Sequence, residues 1–204
     1  MNQDDYDMAK SYYISDAVVN SFGLLLAGKS NPNFPFHVYH SSFFVKLQQS
    51  TTSVRKWSKQ VPNEDLFTLH HLFIPCNINT NHWVCIDVDF PAMTITYYDP
   101  KHADDQLGLL QSTLAYLKHE YSKRSNEAFP INWTTTRCTN IPVQRNSYDC
   151  AVYCCSYMEM IANQSGTCNF DSTNMPYFRQ RIALAITQNG IPDLSLPVFN
   201  HGNH

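Results

Sequence analysis

Apolar and polar positions alternate most regularly in the centre of the chain. There the segment WVCIDVD (83–89) predicts a strand with two distinct faces. One face would carry Val84, Ile86 and Val88, and the other Trp83, Cys85 and Asp87. The next segment, MTITYYD (93–99), is rich in β-branched and aromatic residues, and only the short turn sequence FPA separates the two. The pattern therefore predicts a β-hairpin, preceded by a strand in LFTLHHLFIP (66–75).

Helical spacing of apolar residues predicts helices on both sides of this strand-rich centre. The segments are SYYISDAVVNSFGLLLAGKS (11–30), a short helix around Phe43, Phe44 and Leu47, LGLLQSTLAYLKHEYSK (107–123), CAVYCCSYMEMIA (150–162) and YFRQRIALAITQ (177–188). The third should bury Leu110, Leu114, Leu117 and Tyr121, whereas the fourth is apolar nearly all round and should lie in the middle of the fold. INWTTTRCTNIPVQ (131–144) should add an extended piece. This order predicts one α+β domain covering residues 1–204.

Composition narrows the classes of protein to which the chain can belong. It has 204 residues, 43% of them hydrophobic and 13% aromatic, which argues against disorder. No apolar run reaches the ~18 residues of a membrane span, and MNQDDYDMAK lacks the features of a signal peptide. A formal net charge of −3 gives no electrostatic reason to expect nucleic acid as a partner. We expect a monomer without membrane or nucleic-acid partners.

The seven cysteines indicate a reducing compartment. Their odd number and irregular spacing do not resemble a secreted disulfide framework, so we expect an intracellular protein of the nucleus or cytoplasm. The sequence contains no CxxC or HExxH, and the adjacent His70 and His71 would face opposite ways on a strand. We therefore predict no metal site and no cofactor.

Cys150 differs from the other cysteines in its predicted position. It follows the turn-like NSYD and opens the apolar helix of residues 150–162. A thiol at a helix N-terminus meets the positive end of the helix dipole, which favours the nucleophilic thiolate. The alternative is a buried structural cysteine, and position alone does not decide between the two.

Three other residues could complete a thiol-based active site with Cys150. His82 ends the turn NINTNH and begins one hairpin strand, and Asp99 closes the other, so the two can be neighbours. A cysteine nucleophile needs such a base and an orienting acceptor. Gln144, six residues before Cys150, could donate to an oxyanion. Taken singly, His82 could be a solvated residue and Gln144 a surface amide.

Three sequence blocks resemble the ubiquitin-like-protein-specific cysteine proteases, the SUMO/sentrin-specific protease family. NHWVCIDVD, TITYYDP and IPVQRNSYDCAVYCC are similar to the family's His-Trp, Tyr-Asp and Gln-x-Asn-x-x-Asp-Cys blocks. YYISDAVVNSF, FHVYHSSFFVKL, VRKWSK and NMPYFRQRIALAI resemble further family segments in the same order. The resemblance implies a papain-like core, with a mixed central sheet flanked by helices and a buried helix starting at the nucleophile.

The resemblance also implies a role for each candidate residue. Cys150 would be the nucleophile, His82 the general base and then acid, and Asp99 its orienter. Gln144 and the Cys150 backbone N–H would hold the oxyanion. The residues implied in substrate binding are Trp83 and Tyr13, which would line a tunnel for a Gly-Gly tail, and Asp16, which would contact the modifier. The modifier body is expected near Asp16 and the region from Phe43 to Trp57.

The chain departs from the family pattern at four positions. Tyr13 replaces a tryptophan, Ala151 replaces the glycine after the nucleophile, Pro100 replaces a frequent serine, and Tyr148 replaces a small residue. The Ala151 methyl group could crowd the substrate carbonyl. All four catalytic residue types are nevertheless present, so the resemblance implies an active enzyme.

The implied activity is hydrolysis of the peptide or isopeptide bond after the C-terminal Gly-Gly of a ubiquitin-like modifier. SUMO is the expected modifier, with deconjugation, precursor maturation or both as the reaction. A deubiquitinase or deneddylase of the same fold is the nearest alternative. An acetyltransferase using the same thioester chemistry, or a weakly active modifier-binding module, are alternatives from other classes.

Overall fold

A mixed β-sheet forms the centre of the fold in the computed structural model, which describes residues 13–103, 107–166, 168 and 170–192. The five strands are β1 (Phe36–Val38), β2 (His71–Ile78), β3 (His82–Asp89), β4 (Thr94–Tyr98) and β5 (Thr134–Arg137). They lie in the order β1-β2-β3-β4-β5. The central β2, β3 and β4 are antiparallel, whereas β1 and β5 run parallel to their neighbours. This mixed sheet confirms the α+β class.

The predicted hairpin is formed by β3 and β4. Asp89 pairs with Thr94 beside the turn, and Cys85 pairs with Tyr98 further along the strands. Because the strands are antiparallel, the first residue of β3 lies at the same end of the sheet as the residue that follows β4. The register therefore brings His82 and Asp99 to one end of the sheet.

Helices pack on both sides of this sheet. They are α1 (Asp16–Ala27), α2 (Ser42–Gln49), α3 (Leu107–Ser122), α4 (Cys150–Ala162) and α5 (Met175–Thr187). Short 3₁₀ helices occupy Thr51–Val54, Trp57–Gln60, Pro62–Glu64, Leu66–Thr68 and Ser172–Asn174. Each segment with helical periodicity therefore contains a helix. Most of these helices begin and end within a few residues of the predicted bounds.

Strand β3 is covered on both faces. Trp83 and Cys85 belong to the core formed with α1, α4 and α5, whereas Val84, Ile86 and Val88 belong to the core formed with α2 and α3. The alternation read from the sequence thus assigned these five side chains to the correct faces. With both faces buried, β3 is a rigid element, and His82 begins it.

The predicted apolar stripe of α3 is only partly right. Leu110 and Leu117 are buried, but Leu114 and Tyr121 are half-buried, and Glu120 is completely buried instead. The Glu120 carboxylate is stabilised there by Lys123 and by Arg124, whose Nη1 donates to Oε2 at 3.0 Å. Spacing alone did not reveal this, because the counter-charges come from the two residues that directly follow the helix.

The described ranges contain neither a membrane-spanning helix nor a group of side chains suited to a metal ion. No helix in them is long and apolar enough to cross a bilayer. No three or more His, Cys, Asp or Glu side chains in them cluster in a way that could hold a metal ion. His71, one of the two adjacent histidines, pairs through Nδ1 with Asp87 Oδ1 at 2.9 Å.

Candidate active site

Cys150 is the first residue of α4, as the sequence predicts, and is 1% exposed. Behind it, α4 packs against β3, where the Cys154 thiol donates to the Val84 carbonyl at 3.4 Å. Three other thiols, Cys76, Cys85 and Cys155, are also completely buried. Burial raises the pKa of Cys76, Cys154 and Cys155, so these three thiols remain protonated.

His82 and Asp99 are hydrogen-bonded through His82 Nε2 and Asp99 Oδ1 at 2.7 Å. The strand register accounts for this contact, since His82 begins β3 and Asp99 directly follows β4. The other ring nitrogen, Nδ1, is buried, and within the described part of the chain it has no hydrogen-bond partner. It is therefore available to exchange a proton with the thiol.

Within the described ranges, four donors hold the Asp99 carboxylate. Besides His82, Oδ1 accepts from the Lys101 N–H at 2.8 Å. Oδ2 accepts from the Ala103 N–H at 3.2 Å and the Tyr97 hydroxyl at 3.3 Å. Burial would raise the Asp99 pKa, but these bonds and the His82 charge outweigh it and hold the pKa below its ordinary value. Asp99 is thus a fixed negative charge behind the imidazole.

His82 and Cys150 shift each other's pKa in opposite directions. Burial lowers the His82 pKa, but Asp99 and the Cys150 sulfur favour the imidazolium more strongly and raise it to about 9. Burial likewise raises the Cys150 pKa, but His82 and a hydrogen bond from the Trp83 backbone N–H bring it below its ordinary value. Both shifts favour a thiolate–imidazolium pair, the reactive state of a cysteine nucleophile.

Gln144 lies at the same site and is 7% exposed. Its backbone N–H donates to the Pro100 carbonyl at 2.7 Å, which ties its loop to the residue after Asp99. Its side-chain Nε2 donates to the Asn146 carbonyl at 2.6 Å and makes a longer contact of 3.4 Å with Asn146 Oδ1. An amide nitrogen carries two hydrogens, so one is held by the carbonyl and the other could leave the longer contact for a closer acceptor.

Ala151 follows Cys150 at the start of α4. It is 1% exposed and belongs, like Cys150, to the core shared with α1 and α5. A helix also accepts alanine more readily than glycine at this position.

A groove of about 690 Å³ brings the three predicted substrate-binding residues together. Its lining includes Tyr13, Asp16 and Trp83, together with Asn77 and Thr80 from the β2–β3 region. Trp83 is 4% exposed and Tyr13 is 60% exposed, so one ring forms a packed wall and the other can move. Trp83 directly follows His82 in β3, so the groove is linked to His82 through this strand.

Asn77 is a candidate binding residue that the sequence analysis missed. Among the described residues, its buried Oδ1 has no hydrogen-bond partner, although the side chain lines the groove. An unpaired buried acceptor is costly unless a ligand or water satisfies it. The signal was a polar residue inside an otherwise apolar strand end, which the adjoining turn sequence NINTNH concealed.

The expected docking region from Phe43 to Trp57 has a buried side and an exposed side. Phe43 is 0% and Trp57 is 8% exposed, because both rings pack with Tyr39 at centroid distances of 4.5 and 5.4 Å. These two rings belong to the core. Residues between them, including Val45 and Lys56, are exposed, so docking of a modifier body at this region stays a prediction.

Comparison with known proteins identifies one family. The model of the Ulp1 protease family, C-terminal catalytic domain, matches residues 12–192. A sentrin-specific protease of Caenorhabditis elegans is 26% identical over 180 residues, covering 86% of this chain and 25% of the relative. The chain spans only 22% to 38% of the length of the first curated relatives that it matches.

Solved structures share the fold at lower sequence identity. The C-terminal Ulp1 protease domain in complex with Smt3, the yeast ortholog of SUMO, has a TM-score of 0.71 and 24% identity, covering 88% of this chain and 79% of that one. The Xanthomonas campestris effector XopD bound to ubiquitin has a TM-score of 0.57 and 18% identity, covering 85% and 91%. At these identities the likeness concerns the fold.

Proposed function

Since this chain belongs to the Ulp1 protease family, we propose that it is a cysteine protease that acts on a ubiquitin-like modifier. It hydrolyses the peptide or isopeptide bond after the modifier's C-terminal Gly-Gly. One observation carries the proposal: the Cys150 thiol, with its lowered pKa, stands beside a hydrogen-bonded His82–Asp99 pair. That combination suits acyl transfer through a thioester.

The reaction proceeds in two stages. The Cys150 thiolate attacks the carbonyl carbon of the terminal glycine, and the Cys150 backbone N–H and the second Gln144 N–H stabilise the oxyanion. The His82 imidazolium donates its proton to the leaving amine as the C–N bond breaks, leaving a thioester on Cys150. Neutral His82 then takes a proton from water, whose hydroxide attacks the thioester and releases the modifier carboxylate and the thiol.

The groove accounts for selection of a Gly-Gly tail. An extended glycine pair has no Cβ atoms, so it can pass between the Tyr13 and Trp83 rings where other residues would clash. Asn77 Oδ1 can accept a backbone N–H of the tail. Asp16, exposed at the groove rim, can pair with a basic residue on the modifier body.

SUMO is the proposed modifier, and ubiquitin is the second candidate. The names of the sentrin-specific relatives and the Ulp1–Smt3 complex support SUMO. The XopD complex supports ubiquitin, because it combines the same fold with that modifier. The presence of His82, Asp99, Gln144 and Cys150 argues against a mere binding module.

The chemistry also bears on where the enzyme works. All seven cysteines are free thiols, and the reaction needs Cys150 reduced. We propose a reducing intracellular compartment, the nucleus or the cytoplasm, and a monomeric catalytic domain.

A panel of fluorogenic substrates tests the proposal. Wild-type protein, Cys150→Ala and Cys155→Ala are incubated with SUMO, the neddylation modifier and ubiquitin, each carrying a fluorophore after Gly-Gly. We expect release from SUMO by wild type and Cys155→Ala, and no release by Cys150→Ala, which should still bind. Release by Cys150→Ala, or from no substrate by wild type, would refute the proposal. Release from ubiquitin alone would replace SUMO with ubiquitin as the modifier.

A further inference from the structure

A chain of hydrogen bonds runs from α5 to the Gln144 amide through residues that the proposed reaction does not use. It begins at Arg179, whose Nε donates to Asp149 Oδ1 at 2.8 Å and whose Nη2 lies 2.7 Å from the same oxygen. Nη2 also donates to the Tyr148 carbonyl at 3.0 Å. The guanidinium further lies 5.5 Å from the Tyr148 ring centroid. Arg179 thus binds both Tyr148 and Asp149, the two residues that precede Cys150.

The hydrogen bonds continue from Asp149 to Asn146. Its second oxygen, Oδ2, accepts from Asn146 Nδ2 at 2.6 Å. Asn146 Oδ1 in turn accepts the backbone N–H groups of Tyr148 at 3.1 Å and Asp149 at 3.0 Å, closing the loop on itself. The Asn146 carbonyl then accepts from Gln144 Nε2 at 2.6 Å, and Asn146 Oδ1 lies 3.4 Å from the same nitrogen. The orientation of the Gln144 side chain therefore depends on a loop that Asp149 and Arg179 hold in shape.

Asp149 precedes α4 but does not cap it. It occupies the N-cap position, yet its side chain makes no capping hydrogen bond to the helix. Both carboxylate oxygens are directed to Arg179 and Asn146 instead. Helix capping is the ordinary reason for an aspartate at this position, and it does not apply here. The carboxylate is only 6% exposed, so water does not replace these partners.

We propose that Arg179 is a positioning residue for the oxyanion donor. Through Asp149 and Asn146 it holds the Gln144 amide with one N–H on the Asn146 carbonyl and the other directed at the oxyanion. The inference rests on the proposed function, because it assigns a purpose to Gln144 in acyl transfer. A positioning role differs from a purely structural role, in which Arg179 would stabilise the fold without affecting the orientation of the Gln144 amide.

Comparing two reactions of Cys150 separates these roles. Arg179→Gln replaces the guanidinium group with a neutral amide. Arg145→Gln makes the same change at an exposed residue of the loop that carries Gln144. Hydrolysis of the fluorogenic substrate needs an oxyanion donor, whereas alkylation by iodoacetamide needs only the thiolate, which displaces iodide from a saturated carbon. For Arg179→Gln we expect kcat to fall about a hundredfold, with KM and the alkylation rate within about twofold of wild type. For Arg145→Gln we expect no change.

Nuclear magnetic resonance gives a readout that does not depend on activity. The two side-chain amide protons of Gln144, assigned by their disappearance in Gln144→Ala, should be separate and exchange slowly in wild type. In Arg179→Gln they should move towards the values of a solvated glutamine. Unchanged Gln144 signals would overturn the inference, as would equal losses of hydrolysis and alkylation. If wild type cleaves no modifier, the proposed function fails. The spectra would still show whether Arg179 fixes the orientation of the Gln144 amide.

A second variant guards against misfolding of Arg179→Gln. Asn146→Ala cuts the same chain between Asp149 and Gln144 and leaves the Arg179–Asp149 ion pair in place. It should reproduce the selective loss of kcat and the change in the Gln144 signals. Wild-type kcat in Asn146→Ala would overturn the inference.

Discussion

At the scale of single residues, Asp99 controls the charge of the site. Four donors surround its carboxylate, and its side chain is completely buried, so it stays ionised. Its charge opposes the burial that would otherwise lower the His82 pKa. The imidazolium that results stabilises the Cys150 thiolate. A single carboxylate behind the ring therefore influences the nucleophile in front of it.

Replacing Asp99 with asparagine should move the alkaline limit of activity. In wild type, kcat/KM should rise as Cys150 loses its proton, below the ordinary thiol value of 9.0. It should fall again as His82 loses its proton at about 9. Asp99→Asn removes the negative charge that raises the His82 pKa, so the falling limb should shift to lower pH. We also expect a loss of up to ~10⁴ in kcat.

The pH profile of kcat/KM between about pH 5 and 10 checks this expectation. Asp89→Asn serves as the control, since Asp89 ends β3 near the turn, away from His82. An unchanged falling limb in Asp99→Asn would contradict the account of Asp99.

The sequence was sufficient to predict the catalytic candidates but not their supports. Cys150, His82 and Asp99 could be found because helix start, strand start and strand end are local features of the sequence. The Arg179–Asp149 pair spans 30 residues and depends on how α5 packs beside α4. Asn77 lies in a strand-end position that looks like a turn. Such contacts are set by tertiary packing, which periodicity does not describe.

At the scale of elements, a buried ion pair joins α4 to α5. Glu159 and Arg181 are 2% and 3% exposed at their side chains, and Arg181 Nη2 donates to Glu159 Oε1 at 2.6 Å. Arg181 Nε lies within 3.1 Å of both carboxylate oxygens. Because Cys150 begins α4, this pair helps hold the helix that carries the nucleophile. The apolar pattern of α4 did not indicate that its Glu159 would be buried with Arg181 of α5 as its charge partner.

Breaking this pair should destabilise the fold strongly. Arg181→Met leaves Glu159 buried without its charge partner, and we expect the free energy of unfolding to fall by about 3–5 kcal/mol. The double variant Glu159→Leu/Arg181→Met removes both charges and should recover most of that loss. Urea denaturation followed by circular dichroism measures both changes. Equal stability of Arg181→Met and wild type would show that the pair contributes little.

At the scale of the whole molecule, the sheet and helices bring distant segments to one place. The start of β3, the end of β4 and the start of α4 come together at His82, Asp99 and Cys150, while Trp83 of β3 lines the groove with Asp16 of α1. The order of motifs along the chain predicted this meeting, because each motif resembles a family segment with a fixed place in the fold. For the Phe43–Trp57 region, the resemblance implies proximity to a partner but does not tell which rings are buried, as Phe43 and Trp57 are.

The most direct test of the central claim is covalent trapping of the nucleophile. Wild-type protein is incubated with SUMO bearing a thiol-reactive electrophile in place of its C-terminal carboxylate, and the adduct is mapped by peptide mass spectrometry. We predict one modifier per chain, attached at Cys150 and at none of the other six cysteines, with adduct formation strongly slowed in His82→Ala. Attachment to another cysteine, or no adduct although SUMO binds, would contradict the assignment of Cys150 as the protease nucleophile.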